Sequence, residues 1–313
     1  MQIIYLILQV VLILLLAPFI EGIIKKYKAF WQNRRGPGLL QPYYNLIKYM
    51  QKDSVKSEHT SWIYDFTPII TFSSIAAAGL FIPTVSTVWI PGFAGDIIMV
   101  IYLFAMARFF MALAGLDTGS SFGGMGSSRE MVISSLVEPV LMLAVFSVVI
   151  RVGSTNLAVV ADNFTRNGFS IVSTSHLLAF AAVFVVAIAE TGRIPVDNPD
   201  THLELTMIHE GMLLEYAGKP LALMFWSAMV KQLLILSILV NVFMPWGIAL
   251  SNSISGIIIS LIVYLSKVIV LALIMATVET AYAKLRIFKV PELMGMAFTL
   301  ALLAVIAQLL LRG

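Results

Sequence analysis

The sequence predicts an all-α integral membrane protein of about eight transmembrane helices, with a cytoplasmic amphipathic helix after span 1 and a Pro-broken acidic loop between spans 5 and 6. Three observations predict it. Of 313 residues, 59% are hydrophobic and only 12% charged, against roughly 45–50% apolar content in a soluble domain. The apolar runs recur from end to end with no polar block long enough to fold apart, so a single polytopic membrane domain over 1–313 is expected. The basic residues alternate in density from loop to loop.

A helix needs about 20 apolar residues to cross the hydrocarbon core. Eight segments approach that length, at about 3–22, 67–90, 97–116, 131–151, 171–189, 221–242, 255–278 and 291–311. The first run has no basic residue before it, and Lys25, Lys26 and Lys28 follow it. A retained span is therefore expected rather than a cleaved signal peptide. Pro68 and Pro83 lie near the ends of the second run, and Trp89 has the character of an interfacial anchor. The odd-numbered loops carry fourteen Lys and Arg and the even-numbered loops two. The positive-inside rule then places the odd loops in the cytoplasm and both termini outside.

Composition also excludes functions. With no cysteine the chain supplies no thiolate to an iron–sulfur cluster, a nickel site or a thiolate zinc site. A redox metal must belong to a partner. The net charge of +3 does not point to nucleic acid here, because the cations sit mainly between spans, as topology requires.

Loop one contains 34-RRGPGLLQPYYNLIKYMQK-52. Gly36, Pro37 and Gly38 form a turn. Beyond it Leu39, Tyr43, Leu46, Ile47 and Met50 recur at helical spacing with Lys48 and Lys52 on the flank, which predicts an amphipathic helix on the membrane surface. Its cations serve topology and lipid headgroups, or a docking surface.

Loop five contains 190-ETGRIPVDNPDTHLELTMIHEGMLLEY-216, which holds six of the seventeen carboxylates. Pro195 and Pro199 forbid a continuous helix from span 5. A new helix is expected to start at Asn198, or at Thr201 with Glu204 closing a capping box. It would put Glu204 and Glu215 on one face within about 20°. Asp200 suits the helix start, where acids meet the positive end of the macrodipole. His202 and His209 share another face, and with no third ligand apparent no metal is expected. Crowded carboxylates with few counter-charges take up and release protons closer to neutral pH, as a proton path requires. Inside the spans, Arg108, Glu138, Lys231 and Lys267 each cost roughly 2.5–3.5 kcal/mol at the bilayer centre. Each should face a partner, although a lysine can also snorkel to an interface. Glu138, followed by Pro139, is too short for that.

The strings 189-AETGRIPVDNPDTHLEL-205 and 215-EYAG-218 resemble the family of the respiratory complex I membrane subunit 1 and its relatives in energy-converting [NiFe] hydrogenases. Quinone-linked members typically read AETNRxPFDLPExExEL and EYSG. Gly192, Val196, Asn198 and His202 depart from that pattern, and three residues are added before Glu215. In these features, in the short RRGPGLLQP turn, and in 123-GGMGSSREMVISSLVEP-139 and 279-ETAYAKLRIFKVPELMG-295, the chain is similar to the hydrogenase branch, that of hydrogenase-4 component C and formate hydrogenlyase subunit 4.

The resemblance implies a membrane subunit of an oxidoreductase complex in a prokaryotic cell membrane, with no catalysis by the chain alone. It would dock a soluble arm made of [NiFe] large-subunit-like and iron–sulfur small-subunit-like proteins, which carry the [NiFe] centre and the clusters, beside antiporter-like membrane subunits. An ion or coupling path is expected through Glu215, Glu210, Glu204, Asp197 and Glu190 to Glu138, with Lys231 as counter-charge. Arg34, Gly36, Pro37 and Arg193 are expected at the docking surface, while Arg108 and Lys267 have no assigned role. A quinone-linked oxidoreductase, a purely structural anchor and a self-contained transporter are the competing readings.

Overall fold

The computed structural model describes residues 2–57, 59–86, 96–167, 173–198, 207–244, 246–249 and 254–310. Eleven α-helices lie among the described residues: α1 (Gln2–Trp31), α2 (Gln41–Met50), α3 (Trp62–Phe81), α4 (Ile97–Asp117), α5 (Ser121–Val152), α6 (Leu157–Asn167), α7 (Thr174–Glu190), α8 (His209–Leu213), α9 (Gly218–Phe243), α10 (Ile254–Ala281) and α11 (Val290–Leu310). Seven are long and apolar enough to cross a membrane, and α7 is a shorter apolar helix. The mainly apolar chain thus folds as a multi-pass helical membrane protein.

α9 is the central post. Its apolar window is 72% buried, against 28% for α10 and for α11, which form the flanks. α1 and α3 pack on α9, α4 packs on α3, and α5, α7 and α11 form a neighbouring group. The C-terminal end of α1, the start of α5, the end of α7, α8 and the α10–α11 connection gather at one end of the bundle, called here the polar end. Gln9 of α1 donates to the carbonyls of Gly79 (2.9 Å) and Ile82 (2.8 Å), which satisfies orphan acceptors at the end of α3.

The helix boundaries differ from the hydropathy runs for physical reasons. α1 continues past residue 22 to Trp31 because its polar last turns are held by ion pairs, Lys25 to Glu21 (3.3 Å) and Lys28 to Glu279 (3.0 Å). α3 starts earlier than the second run, with the Ser61 hydroxyl accepting from the Ile63 amide, and stops before Pro83. Residues 87–90 of that run, Trp89 included, lie outside the described residues.

α5 departs most from expectation. It begins at Ser121, ten residues ahead of the predicted 131. The GGMGSS string is poor helix material, yet its glycines permit backbone contact. A Cβ on Gly123 would lie 2.4 Å from the Gly115 carbonyl oxygen, and one on Gly126 would lie 2.8 Å from that of Ile208. Close packing of small residues outweighs propensity here, as between membrane helices generally. Gly126→Ala should therefore lower the unfolding temperature of the complex in detergent, by an amount equivalent to about 1–3 kcal/mol of overpacking. Gly124→Ala, where a Cβ meets nothing within 4 Å, should not lower that temperature, since alanine is the better helix former.

A single helix running from 198 or 201 through Glu215 is not formed. Met207 and Ile208 are non-helical, and α8 covers only His209–Leu213. Tertiary partners interrupt the ladder: Arg129 donates to the Met207 carbonyl (2.9 Å), and the His209 amide donates to the Asp197 carboxylate (3.3 Å). The expected shared face of Glu204 and Glu215 is lost with that helix. Pro199, Asp200, Thr201, His202 and Glu204 themselves lie outside the described residues.

Candidate functional site

The short length of α7 places the first functional group. Its 17 residues end at Glu190, after which the amides of Thr191, Gly192 and Arg193 return to the carbonyls of Ala187, Ala189 and Ile188. Gly192 closes this cap at φ +59°. Asn and Gly are the two residues that such a left-handed cap accepts readily, so Gly192 in place of the quinone-linked Asn preserves the local geometry.

Glu190 therefore stops against Arg108 of α4 and Lys231 of α9. Arg108 donates to the Glu190 carboxylate, and Lys231 Nζ lies 2.7 Å from the other Glu190 oxygen. α5 adds a stripe at i, i+4 and i+8, with Glu130, Ser134 and Glu138 all turned to Arg108. Arg108 Nη1 donates to Glu138 Oε1 (3.0 Å), and its Nε lies 3.4 Å from Glu130 Oε1. Ser134 bridges by donating to Glu138 (3.2 Å). Arg108 is thus a buried hub for three carboxylates, and with Lys231 it leaves them one positive charge short. The Glu138 side chain keeps 37% of its surface exposed, against 3% for Glu190. One end of the cluster therefore reaches the flank of the bundle. A cavity of about 50 Å³ lies beside Glu190, Lys231 and His209, large and polar enough to admit water.

His209, when protonated, supplies the balancing charge. Its Nδ1 lies 3.2 Å from Glu130 Oε2. Burial favours the neutral ring, but the charge and hydrogen bond of Glu130, with Asp197 adding, outweigh burial and the opposing Lys231, so the pKa of His209 is raised above 6.5. A raised folded-state pKa means that the stabilisation is fully present below the unfolded value of about 6.5 and is lost as pH rises through the folded value. The amides of α8 should therefore lose exchange protection, after correction for intrinsic rates, as pH rises above that point. His209→Gln should abolish this dependence; a pH profile unchanged by H209Q would remove Glu130–His209 pairing as its cause.

A second network lies on the other side of α9. Arg193 donates to Glu21 of α1 and to Gln232 of α9 (2.6 Å to the latter), and its Nε lies 3.3 Å from Glu279 of α10. Lys28 also holds Glu279. Arg193, expected at a docking surface, is buried within this chain, because three helices converge on it with two carboxylates and an amide. Arg34, Gly36 and Pro37 are exposed. Lys231 and Gln232 are successive residues of α9, so the two networks are separated by that helix alone.

The remaining predicted residues scatter. Asp197 pairs with Lys284 (2.7 Å) from the α10–α11 connection. At Glu190 and Asp197 the crowding expected in loop five is thus relieved by cations from distant segments. Glu215 is exposed and is not brought into either network, while Glu210 is partly buried. Their neighbour Tyr216 acts in packing, stacked on Tyr64 at a centroid distance of 4.1 Å. Lys267 donates to the carbonyls of Met244 (2.7 Å) and Trp246 (2.8 Å) after α9, at the end of the bundle remote from the cluster. Glu21, Glu130, Glu279, His209 and Lys284 are site residues that sequence reasoning missed. A buried arginine demands carboxylates, and the i, i+4, i+8 stripe on α5 was the available signal for Glu130. Among the described residues no three His, Asp or Glu side chains gather as metal ligands.

A helical bundle that carries two buried ion-pair networks between its apolar helices defines a polytopic membrane protein with internal ionisable groups. The family described as NADH dehydrogenase matches residues 3–310, and the chain belongs to that family. It is 34% identical over 309 residues to formate hydrogenlyase subunit 4 of Escherichia coli (strain K12), covering 99% of each chain. It is 34% identical over 296 residues to hydrogenase-4 component C of the same organism, covering 95% of this chain and 92% of that one. The NADH-ubiquinone oxidoreductase chain 1 of Dictyostelium citrinum is 29% identical over 240 residues, covering 74% of this chain and 72% of that one. In solved structures, a chain of the membrane-bound sulfane sulfur reductase, an archaeal respiratory membrane complex, shares the fold with a TM-score of 0.85 at 23% identity, over 98% of this chain and 99% of that one.

Proposed function

We propose that the chain is the membrane-anchoring and coupling subunit of a multisubunit energy-converting [NiFe] hydrogenase of the formate hydrogenlyase or hydrogenase-4 type. The observation that carries this reading is the end-to-end 34% identity to formate hydrogenlyase subunit 4. The [NiFe] centre and iron–sulfur clusters would sit on partner subunits, since this chain has no cysteine to hold them. The polar end, with the basic loops, faces the cytoplasm and both termini lie outside. α2 rests on the membrane surface, and the exposed turn of Arg34, Gly36 and Pro37 meets the soluble arm. Arg193 holds that turn's helix in place from beneath through Glu21. The coupling path enters at Asp197 and His209, passes Glu130 and Glu190 around Arg108 and Lys231, and leaves at Glu138 toward an antiporter-like neighbour, where a proton or sodium ion moves.

The test is to purify the tagged chain from its own host in mild detergent and assay the complex for nickel, hydrogen evolution and quinone reduction. Nickel with hydrogen evolution is expected. Quinone reduction without nickel would transfer the chain to the quinone-linked side.

A further inference from the structure

A cavity of about 570 Å³ opens at the polar end, where α1 meets the 34–37 turn and the start of loop five. Lys25, Lys28, Arg34 and Arg35 line it with the amides of Gln32 and Asn198, and no carboxylate lines it among the described residues. The inner cations are engaged below, Lys28 with Glu279 and Lys25 with Glu21. The outer two are not: Arg34 and Arg35 are exposed, and among the described residues neither has a carboxylate within ion-pair distance. A volume in the range of small-ligand sites with four cations and polar side-chain amides is built for a phosphate group, which arginine's fork grips well.

The surroundings decide which phosphate. Phe30 and Trp31, between the lining residues Ala29 and Gln32 of α1, are 77% and 56% exposed, the aromatic character of a membrane–water boundary. Leu40, three residues beyond the lining residue Pro37, is also exposed. An acidic protein segment would leave these apolar flanks bare, whereas the acyl chains of a lipid would cover them. We infer that the cavity binds the phosphate headgroup of an anionic phospholipid, gripped by Arg34 and Arg35 over a floor of Lys25 and Lys28. The site is independent of which redox arm the complex carries.

The intact complex is purified in mild detergent, washed, and incubated with micelles containing phosphatidylglycerol or phosphatidylcholine, and bound lipid phosphorus is then measured per complex. Phosphatidylglycerol should be retained over phosphatidylcholine. R35Q should weaken that retention about fivefold and R34Q/R35Q about thirtyfold, the effect of roughly one basic contact each at a membrane surface. R35K should retain more phosphatidylglycerol than R35Q but less than the native protein, because the charge stays while the fork is lost. Equal retention of the two lipids, or retention unchanged in R34Q/R35Q, would overturn the inference. So would protection of the arginines from phenylglyoxal by inorganic phosphate with no lipid retained, which marks a free-anion site. Loss of the soluble subunits from R34Q/R35Q at unchanged lipid content would assign the cavity to an acidic protein segment instead. Scoring lipid and arm on the same samples separates failure here from failure of the docking turn, and R35Q alone serves if the double variant does not assemble.

Discussion

Replacing Arg108 with Met is expected to abolish the assembled complex. The guanidinium is 4% exposed and faces Glu130, Glu138 and Glu190 from two other helices. Removing it leaves three carboxylates inside the bundle with Lys231 and His209 alone to balance them. Breaking a buried pair by deleting one partner costs about 3–5 kcal/mol, a large part of the roughly 5–15 kcal/mol that holds a protein folded. R108K should recover part of the yield, because the charge stays while the fork that reaches three acids at once is lost. Lys267→Met supplies the contrast: that ammonium meets two backbone carbonyls and the face of Trp246 at the far end, so K267M should assemble nearly normally. Yield and thermal melting of the detergent-solubilised complex read both, and equal behaviour of R108M and K267M would refute the hub.

Glu138→Gln should separate redox activity from ion movement. Glutamine keeps the size of the side chain and can still accept from Ser134 and Arg108, while Arg108 retains Glu130 and Glu190. Assembly and electron transfer in the arm should therefore persist. What disappears is the one carboxylate of the cluster with 37% exposure at the flank. Redox-driven ion uptake into proteoliposomes should fall on the order of 10²-fold, the scale for losing a positioned proton carrier. Native uptake rates in E138Q would confine this chain to anchoring.

The multi-pass helical class was readable because a crossing helix writes itself in one variable, about 20 residues of apolar character. Boundaries were less readable where tertiary contact decides them, as at Gly123 and Gly126, whose lack of side chain looks like a loop until the facing backbone is known. Arg108 and Glu138 stand out by the cost of their charge in lipid, but their mutual contact does not, because each lies on a helix whose neighbours the sequence does not name. The burial of Arg193 was unreadable for the same reason. In a run of polar residues nothing marks one arginine as buried when its acids sit at positions 21 and 279. Glu215 is the opposite case, exposed beside a Tyr216 that stacks on Tyr64.

The Glu21–Arg193 pair also constrains how the chain is made. Its members are 172 residues apart, and at a synthesis rate of about 5–20 residues per second the first helix exists for roughly 10–30 s before its partner emerges. Glu279 follows later still. During that interval Lys25, one turn along α1 from Glu21, is the local cation able to neutralise the acid, which makes it a temporary escort at membrane insertion and a minor contact afterwards. K25Q should therefore slow the accumulation of newly made protein far more than it weakens the finished complex.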